Sequence, residues 1–435
     1  MGGYLPAAEA EREAQYAALG LTGPEGLYRD VPESVYLKEP LHMPGPKSEL
    51  EARRILEGMA EQNVRLRTIL RGAGAYDHYI PAAVGRIAAK EQFVTAYTPY
   101  PAEISQGVLQ SIFEFQTMIC ELTGLDAANA SVYDGASAAA EAVAMCRDRK
   151  RTRAVISGAA HPDVIATIKT YCFGSGAEVV VAPVKDGVTD LTGLLDETTA
   201  CVYIQHPNFF GQLEDLRGLA GQAHAAGAKL VAGVNPITLG VLESPGACGA
   251  DISVGEGQPL GLPLAWGGPY LGFMAAAQPL MRKLPGRIVG ETTDARGERA
   301  FVLTMQAREQ HIRREKASSN VCSNEALCAL TASIYLSLMG PDGLRQVGEH
   351  CHAKAHYLAE ELCKIPGVSL RYPGPFFHEF VTDLPQPRKV LDALEAQGIL
   401  GGWPVEGGLL WCATEKQTRD ELDGAVSVVK EVLGK

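Results

Sequence analysis

At 435 residues, with 46% hydrophobic and 21% charged side chains, the chain is long enough for a large core plus a smaller domain and has the composition of a soluble globular protein. Lys and Arg number 39 against 51 Asp and Glu, a formal net charge of −12, so no nucleic acid and no membrane is expected among its partners and any anion site must be local. Ten cysteines without a C-x-x-C pair argue against a disulfide framework and a structural zinc site, leaving buried thiols in a reducing compartment as the expectation.

Met1 to Leu21 alternates Ala with Glu and Arg and lacks an apolar core, so it does not read as a secretory signal, and a cytoplasmic location is expected. Residues 1–65 read as a helical arm, with a Pro-rich crossing at Pro40 to Pro46 and a helix opened by Ser48 as its cap. The stretch RGAGAYDHYIP, Arg71 to Pro81, sets flexible glycines beside Tyr76, Asp77, His78 and Tyr79. It can carry a titratable imidazole to a pocket, although a loop histidine is more often simply solvated. AYTPYPAEISQG, Ala96 to Gly107, gathers Tyr97, Tyr100, Glu103, Ser105 and Gln106 beside two prolines. Its plain alternative is a proline-set turn with Glu103 and Gln106 in a helix's first turn, where the dipole favours them. Asp134 to Ser137 opens an alanine-rich helix whose free N–H groups and hydroxyl suit an anion or serve merely as a cap.

From Ala136 the pattern becomes apolar runs separated by helical stretches: RAVIS at 153–157, EVVVAP at 178–183, CVYIQ at 201–205, KLVAGV at 229–234 and ADISVG at 250–255. Continuous rather than alternating apolar strands predict an α/β domain at 66–310, a mainly parallel central sheet with helices on both faces and ligands at the strands' C-terminal ends. Gly255, Gly257 and Gly261 follow the last run, but their spacing and Pro259 exclude a dinucleotide loop. Gly257 to Met281 is free of charge for 25 residues; its prolines and glycines predict buried, turn-rich backbone rather than a membrane span. REQHIRREK, Arg308 to Lys316, reads as a solvated helical face or, more sharply, an anion-docking patch. Residues 311–435 read as a small α+β domain: helix through Asn324 to Cys363, short strands at SLRYPG and GLLWCA, and a terminal helix. His352 and His356 stand one turn apart, yet no partner motif supports a metal site, and none is expected.

YLPAAEAEREAQYAALG, GAGAYDHYIP, AYTPYPAEISQG, GQPLGLPLAWGGP and PGRIVGETTDARGERAFVLTMQAREQHIRREKASSNVC together resemble, in order and over essentially the whole chain, the first-subunit type of the glycine decarboxylase family, the P-proteins of the glycine cleavage system. The resemblance implies the fold-type I PLP-dependent transferase architecture. It also implies a subtraction, because such enzymes hold the cofactor on a lysine. Matching Pro263 with the proline of the sister subunit's H-K-T-F-x-x-P motif puts Gln258 at the lysine position, and Ala232 falls where the sister has the aspartate of D-G-A-N.

The expected activity is therefore shared: with subunit 2 carrying PLP, glycine loses CO2 and its aminomethyl group passes to the lipoyl group of H-protein. Active-site wall residues would be His78, Tyr79, Tyr97, Tyr100, Glu103, Ser105 and Gln106. Ser137, His161 and His206 would be relics of a cofactor cleft or core contacts, and Arg287, Arg313, Arg314 and Lys316 would dock H-protein. The rival readings are a scaffold that only stabilises subunit 2 and a free-standing PLP enzyme with its lysine elsewhere.

Overall fold

The computed structural model describes residues 7–39, 41–317 and 319–434. They form two compact units, Met1–Val64 and Arg65–Lys435. The first unit holds the helices Glu9–Ala18 and Glu49–Ala60. Ser48 caps the second through a reciprocal box: its hydroxyl accepts from the Glu51 N–H, and the Glu51 carboxylate accepts from the Ser48 N–H at 2.9 Å. Neither helix buries a residue.

In the second unit a seven-stranded sheet comprises β1 (Ala127–Ala128), β2 (Arg153–Ser157), β3 (Val179–Ala182), β4 (Thr199–His206), β5 (Lys229–Val234), β6 (Ile252–Glu256) and β7 (Gly272–Ala276). Their spatial order is β1-β7-β6-β5-β4-β2-β3. Strands β2 to β6 run parallel, and β7 runs antiparallel to β6 and β1. The apolar runs are continuous because each face has its own core. Val202, Ile204, Leu230 and Ala232 pack on one side with Phe115 and Ile119. Cys201, Tyr203 and Val231 pack on the other with the helices Gly135–Cys146 and Pro162–Gly174.

A four-stranded antiparallel sheet, Ser369–Leu370, Glu379–Asp383, Gly408–Cys412 and Trp403–Val405, is covered by the helices Pro387–Ala396 and Arg419–Val432. The helix Ala326–Cys363 joins the two cores, burying Ala332 and Tyr335 in one and Leu358 and Leu362 in the other. Its direction changes at Gly340, φ 61°, just before Pro341. By length and composition it alone among the described helices could cross a membrane, and these buried side chains account for its apolarity. In the uncharged stretch 257–281, residues 257–262 and 271–276 are buried as expected, whereas 263–270 between them are partly or fully exposed, Trp266 at 97%.

The sequence expectation of one solvated helix at 308–316 does not hold. Turns at 306–308, 310–313 and 314–316 follow one another, with Met305 and Arg314 at φ 53°. Arg308 is partly buried and donates to the Gly286 carbonyl at 2.8 Å.

Candidate active site

A cleft of about 390 Å3 opens at the C-terminal ends of the parallel strands, lined by residues including Asp134, Gly135, His161, Gln205, Asn235, Glu256 and Glu379. That is where a parallel sheet leaves unpaired strand ends and helix N-termini facing each other. Among the described residues no lysine or arginine lines it.

Gln258 is 1% exposed and lies behind the loop that starts at Arg71. Its amide accepts from the Tyr76 N–H (2.9 Å) and donates to the Tyr76 and Leu262 carbonyls (2.9 and 2.8 Å). Both of its donors and its acceptor are therefore engaged. The Tyr76 hydroxyl donates to Glu379 at 2.8 Å, and Glu379 also accepts from the Ala73 N–H at 2.7 Å. The loop lies so close that a Cβ at Gly72 would sit 2.4 Å from the Glu379 carboxylate, which is why glycine stands there.

His78 is buried rather than solvated, 5% exposed, and its Nδ1 lies 2.7 Å from Glu415. The other Glu415 oxygen accepts from the Tyr79 N–H at 2.6 Å, while the Tyr79 ring is exposed. Burial works to raise the Glu415 carboxyl, but the hydrogen bond and charge of His78, together with backbone hydrogen bonds from Tyr79 and Glu415 itself, outweigh it and leave the carboxyl below its usual range. Cys351 also donates to Glu415, at 3.5 Å.

The second group of wall candidates packs against the hairpin Ile288–Thr293/Arg299–Thr304. Tyr97 is 83% exposed, and Glu103 is exposed in its own short turn, Ala102–Ile104, ahead of the helix Gln106–Thr123. The Tyr100 hydroxyl accepts from Arg287 at 3.2 Å, with the guanidinium over the ring. Ser105 is buried at the helix entry, and the Gln106 amide is engaged with the Phe301 backbone in both directions, at 2.9 and 2.8 Å. Ser105 and Gln106 thus hold the turn in place, while the side chains of Tyr97, Tyr100 and Glu103 are exposed. Arg287 has to be withdrawn from the docking set: it is 5% exposed and supports Tyr100 from beneath. Arg313, Arg314 and Lys316 are exposed.

Ser137 and His161 lie at helix starts. The Ser137 N–H donates to Asp134, and His161 Nδ1 accepts from the Asp163 N–H, so Nε2 donates to the Ala73 carbonyl at 2.9 Å. His206 accepts from the Glu214 N–H, and burial pushes its pKa down to about 4. Sequence reasoning missed the carboxylates Glu256, Glu379 and Glu415. Each ends or interrupts an apolar run, the one local sign of a buried charge with a distant partner.

These residues do not fit PLP bound in the fold-type I manner. Gln258 offers no amine, Ala232 packs into the core without presenting a carboxylate, and the helix start at Gly135 is already occupied by Glu256, whose Oε2 accepts the Gly135 N–H at 3.0 Å.

Burial raises the Glu379 carboxyl from 4.5 to about 7, against the hydrogen bonds from Ala73 and Tyr76. A carboxyl raised in the folded state binds its proton more tightly there than in the unfolded chain. Folding is therefore favoured at low pH and loses stability as pH rises from about 4.5 to about 7. Glu379→Gln keeps the shape without the ionisation, and should flatten that part of the thermal-stability profile and add on the order of 3 kcal/mol above pH 7. Melting curves across pH 4 to 8 check this; an unchanged profile would mean that Glu379 titrates normally.

Residues 2–429 match the family model described as glycine cleavage system P-protein. A relative from Moorella thermoacetica, named probable glycine dehydrogenase (decarboxylating) subunit 1, is 49% identical over 99% of both chains. One of the same name from Geobacillus kaustophilus is 47% identical over 98% of both. Among solved structures, a glycine decarboxylase (P-protein) of the glycine cleavage system in inhibitor-bound form aligns with TM-score 0.94 and 43% identity over 99% of this chain and 100% of that one. The Lactobacillus brevis glutamate decarboxylase, TM-score 0.67 at 15% identity over 92% and 96% of the two chains, shares the fold alone. The architecture is that of the fold-type I PLP enzymes.

Proposed function

Because the chain belongs to the glycine cleavage system P-protein family, we propose that it is the subunit of glycine decarboxylase that bears no cofactor lysine and works with a sister subunit that carries PLP. The observation that carries this reading is Gln258, buried where the resemblance expects the lysine and saturated by hydrogen bonds to Tyr76 and Leu262. PLP on the sister subunit supplies the carbanion chemistry that releases CO2 from glycine. This chain supplies the opposite wall. Tyr97, Tyr100 and Glu103 project from a turn anchored by Ser105 and Gln106, and the loop with His78 and Tyr79 is tied down by Glu415. Such groups orient the substrate and exclude water without forming a covalent bond to it.

Borohydride reduction of the two-subunit complex followed by peptide mass spectrometry tests the assignment: pyridoxyl label is expected on the sister subunit only. Label on a lysine of this chain would refute it.

The aminomethyl group then passes to lipoylated H-protein, and the exposed Arg313, Arg314 and Lys316 are the proposed contact for an acidic partner surface. Reversing the charge of Arg313 and Arg314 should raise the KM for H-protein about tenfold at low salt and leave much less difference at high salt, as screening predicts. A KM for H-protein that is indifferent to both salt and the reversal would remove these residues from the docking site.

A further inference from the structure

The helix Gly135–Cys146 begins with a carboxylate from its own chain. Glu256 accepts the Gly135 N–H through Oε2 (3.0 Å), and the Gln258 and Leu271 N–H groups through Oε1 (3.0 and 2.8 Å). Three backbone donors converge on one partly buried side chain, the Gly135 N–H from the positive end of the helix and the Gln258 and Leu271 N–H groups from neighbouring segments, a set of donors that suits an anion. A Cβ at Gly135 would lie 2.9 Å from the Glu256 nitrogen, so the close approach requires glycine there. Two residues on, Gln258 holds Tyr76 through both its N–H and its carbonyl.

From this we infer that Glu256 and Gln258 have converted a cofactor cleft into a clamp, Glu256 filling the anion cup from within and Gln258 acting as a positioning residue for the Gly72–Tyr79 loop. The clamp rests on the functional reading above for its consequence, a preset His78–Tyr79 wall, but its geometry belongs to this chain alone. A lysine at 258 has three donors and no acceptor. It would leave the Tyr76 N–H without the acceptor that the Gln258 amide supplies. The loop's other ties run from Glu379 to Ala73 and the Tyr76 hydroxyl, from His161 to Ala73, from Glu415 to His78 and Tyr79, and from Thr414 and Lys416 to Asp77; the partner of the Tyr76 N–H itself is Gln258.

The test uses the full chain, alone and with its sister subunit. Titrated with inorganic phosphate and with PLP by calorimetry, the isolated wild-type chain is expected to bind neither at millimolar concentration, and Glu256→Ala is expected to take up phosphate. Wild-type binding of either that is lost on substitution at Ser137 or Gly135 would overturn the filled cup, as would a folded Glu256→Ala chain that still refuses phosphate. For the clamp, the readout is hydrogen-exchange protection at the Tyr76 amide. Gln258→Leu is expected to lower it about tenfold to a hundredfold, the worth of a buried hydrogen bond, with β4 unchanged. Gln258→Glu should restore protection at low pH, where a protonated carboxyl can again donate to the Tyr76 carbonyl while accepting from its N–H. Equal protection in all three chains would overturn the clamp. Since none of these readouts involves glycine turnover, they can fail while the subunit assignment stands, and the reverse.

Discussion

Tyr97→Phe and Glu103→Gln, each made in the full chain and assayed with the sister subunit and H-protein, are expected to lower glycine decarboxylation about tenfold to a hundredfold, the usual cost of misplacing a substrate. Both side chains are exposed and have no hydrogen-bond or ion-pair partner among the described residues. Removing the phenol oxygen or the charge therefore leaves the fold of this chain untouched, and any loss reports on what the wall meets in the complex. The fall should appear in kcat/KM for glycine, with the KM for H-protein unchanged. Tyr100→Phe should show a smaller effect of the same kind, since the Arg287 guanidinium still packs on the ring. Full activity in both principal variants would take this turn out of the active site.

Trp411→Ala should be the most damaging single core substitution, costing about 3–5 kcal/mol. Trp411 is fully buried, pairs across the antiparallel sheet with Phe380, and packs among Leu358, Leu362, Leu394 and Val429. Its indole N–H also donates to the Thr382 hydroxyl at 2.8 Å, leaving a buried group to be orphaned on truncation. The damage should reach the site, because the neighbouring register pairs Cys412 with Glu379, and Glu379 holds Ala73 and Tyr76. Urea unfolding of the variant should show an early transition; a midpoint close to that of the wild-type chain would mean that the small sheet contributes little to stability.

The elements legible in the sequence were those whose signal is local. Arg153–Ser157 and Lys229–Val234 are strands over the residues that their apolar runs mark, since a strand covered on both faces writes its length in consecutive residues. Ser48 announced its helix as the cap residue, and the structure adds Glu51 as the other half of the box. The site was less legible because its bonds are not local: Gln258 reaches Tyr76, Glu379 reaches Ala73, and Glu415 reaches His78 across 182, 306 and 337 residues respectively. A single sequence carries no signature of such a partner, only an acidic residue in an apolar setting. The same reason explains Arg287, whose charge suggested a docking surface until folding buried it beside Tyr100. The charged run at 308–316 misled through its helical composition, for Arg314 at positive φ breaks it into separate turns and Met305, also at positive φ, stands just ahead of it.

The central claim is that catalysis needs two complementary chains, and reconstitution tests it most directly: glycine decarboxylation measured with each purified subunit alone and with both, at saturating PLP, glycine and H-protein. Negligible turnover by either alone and recovery on mixing is the predicted result. Turnover by this chain alone, or full turnover by the sister subunit without it, would contradict the account.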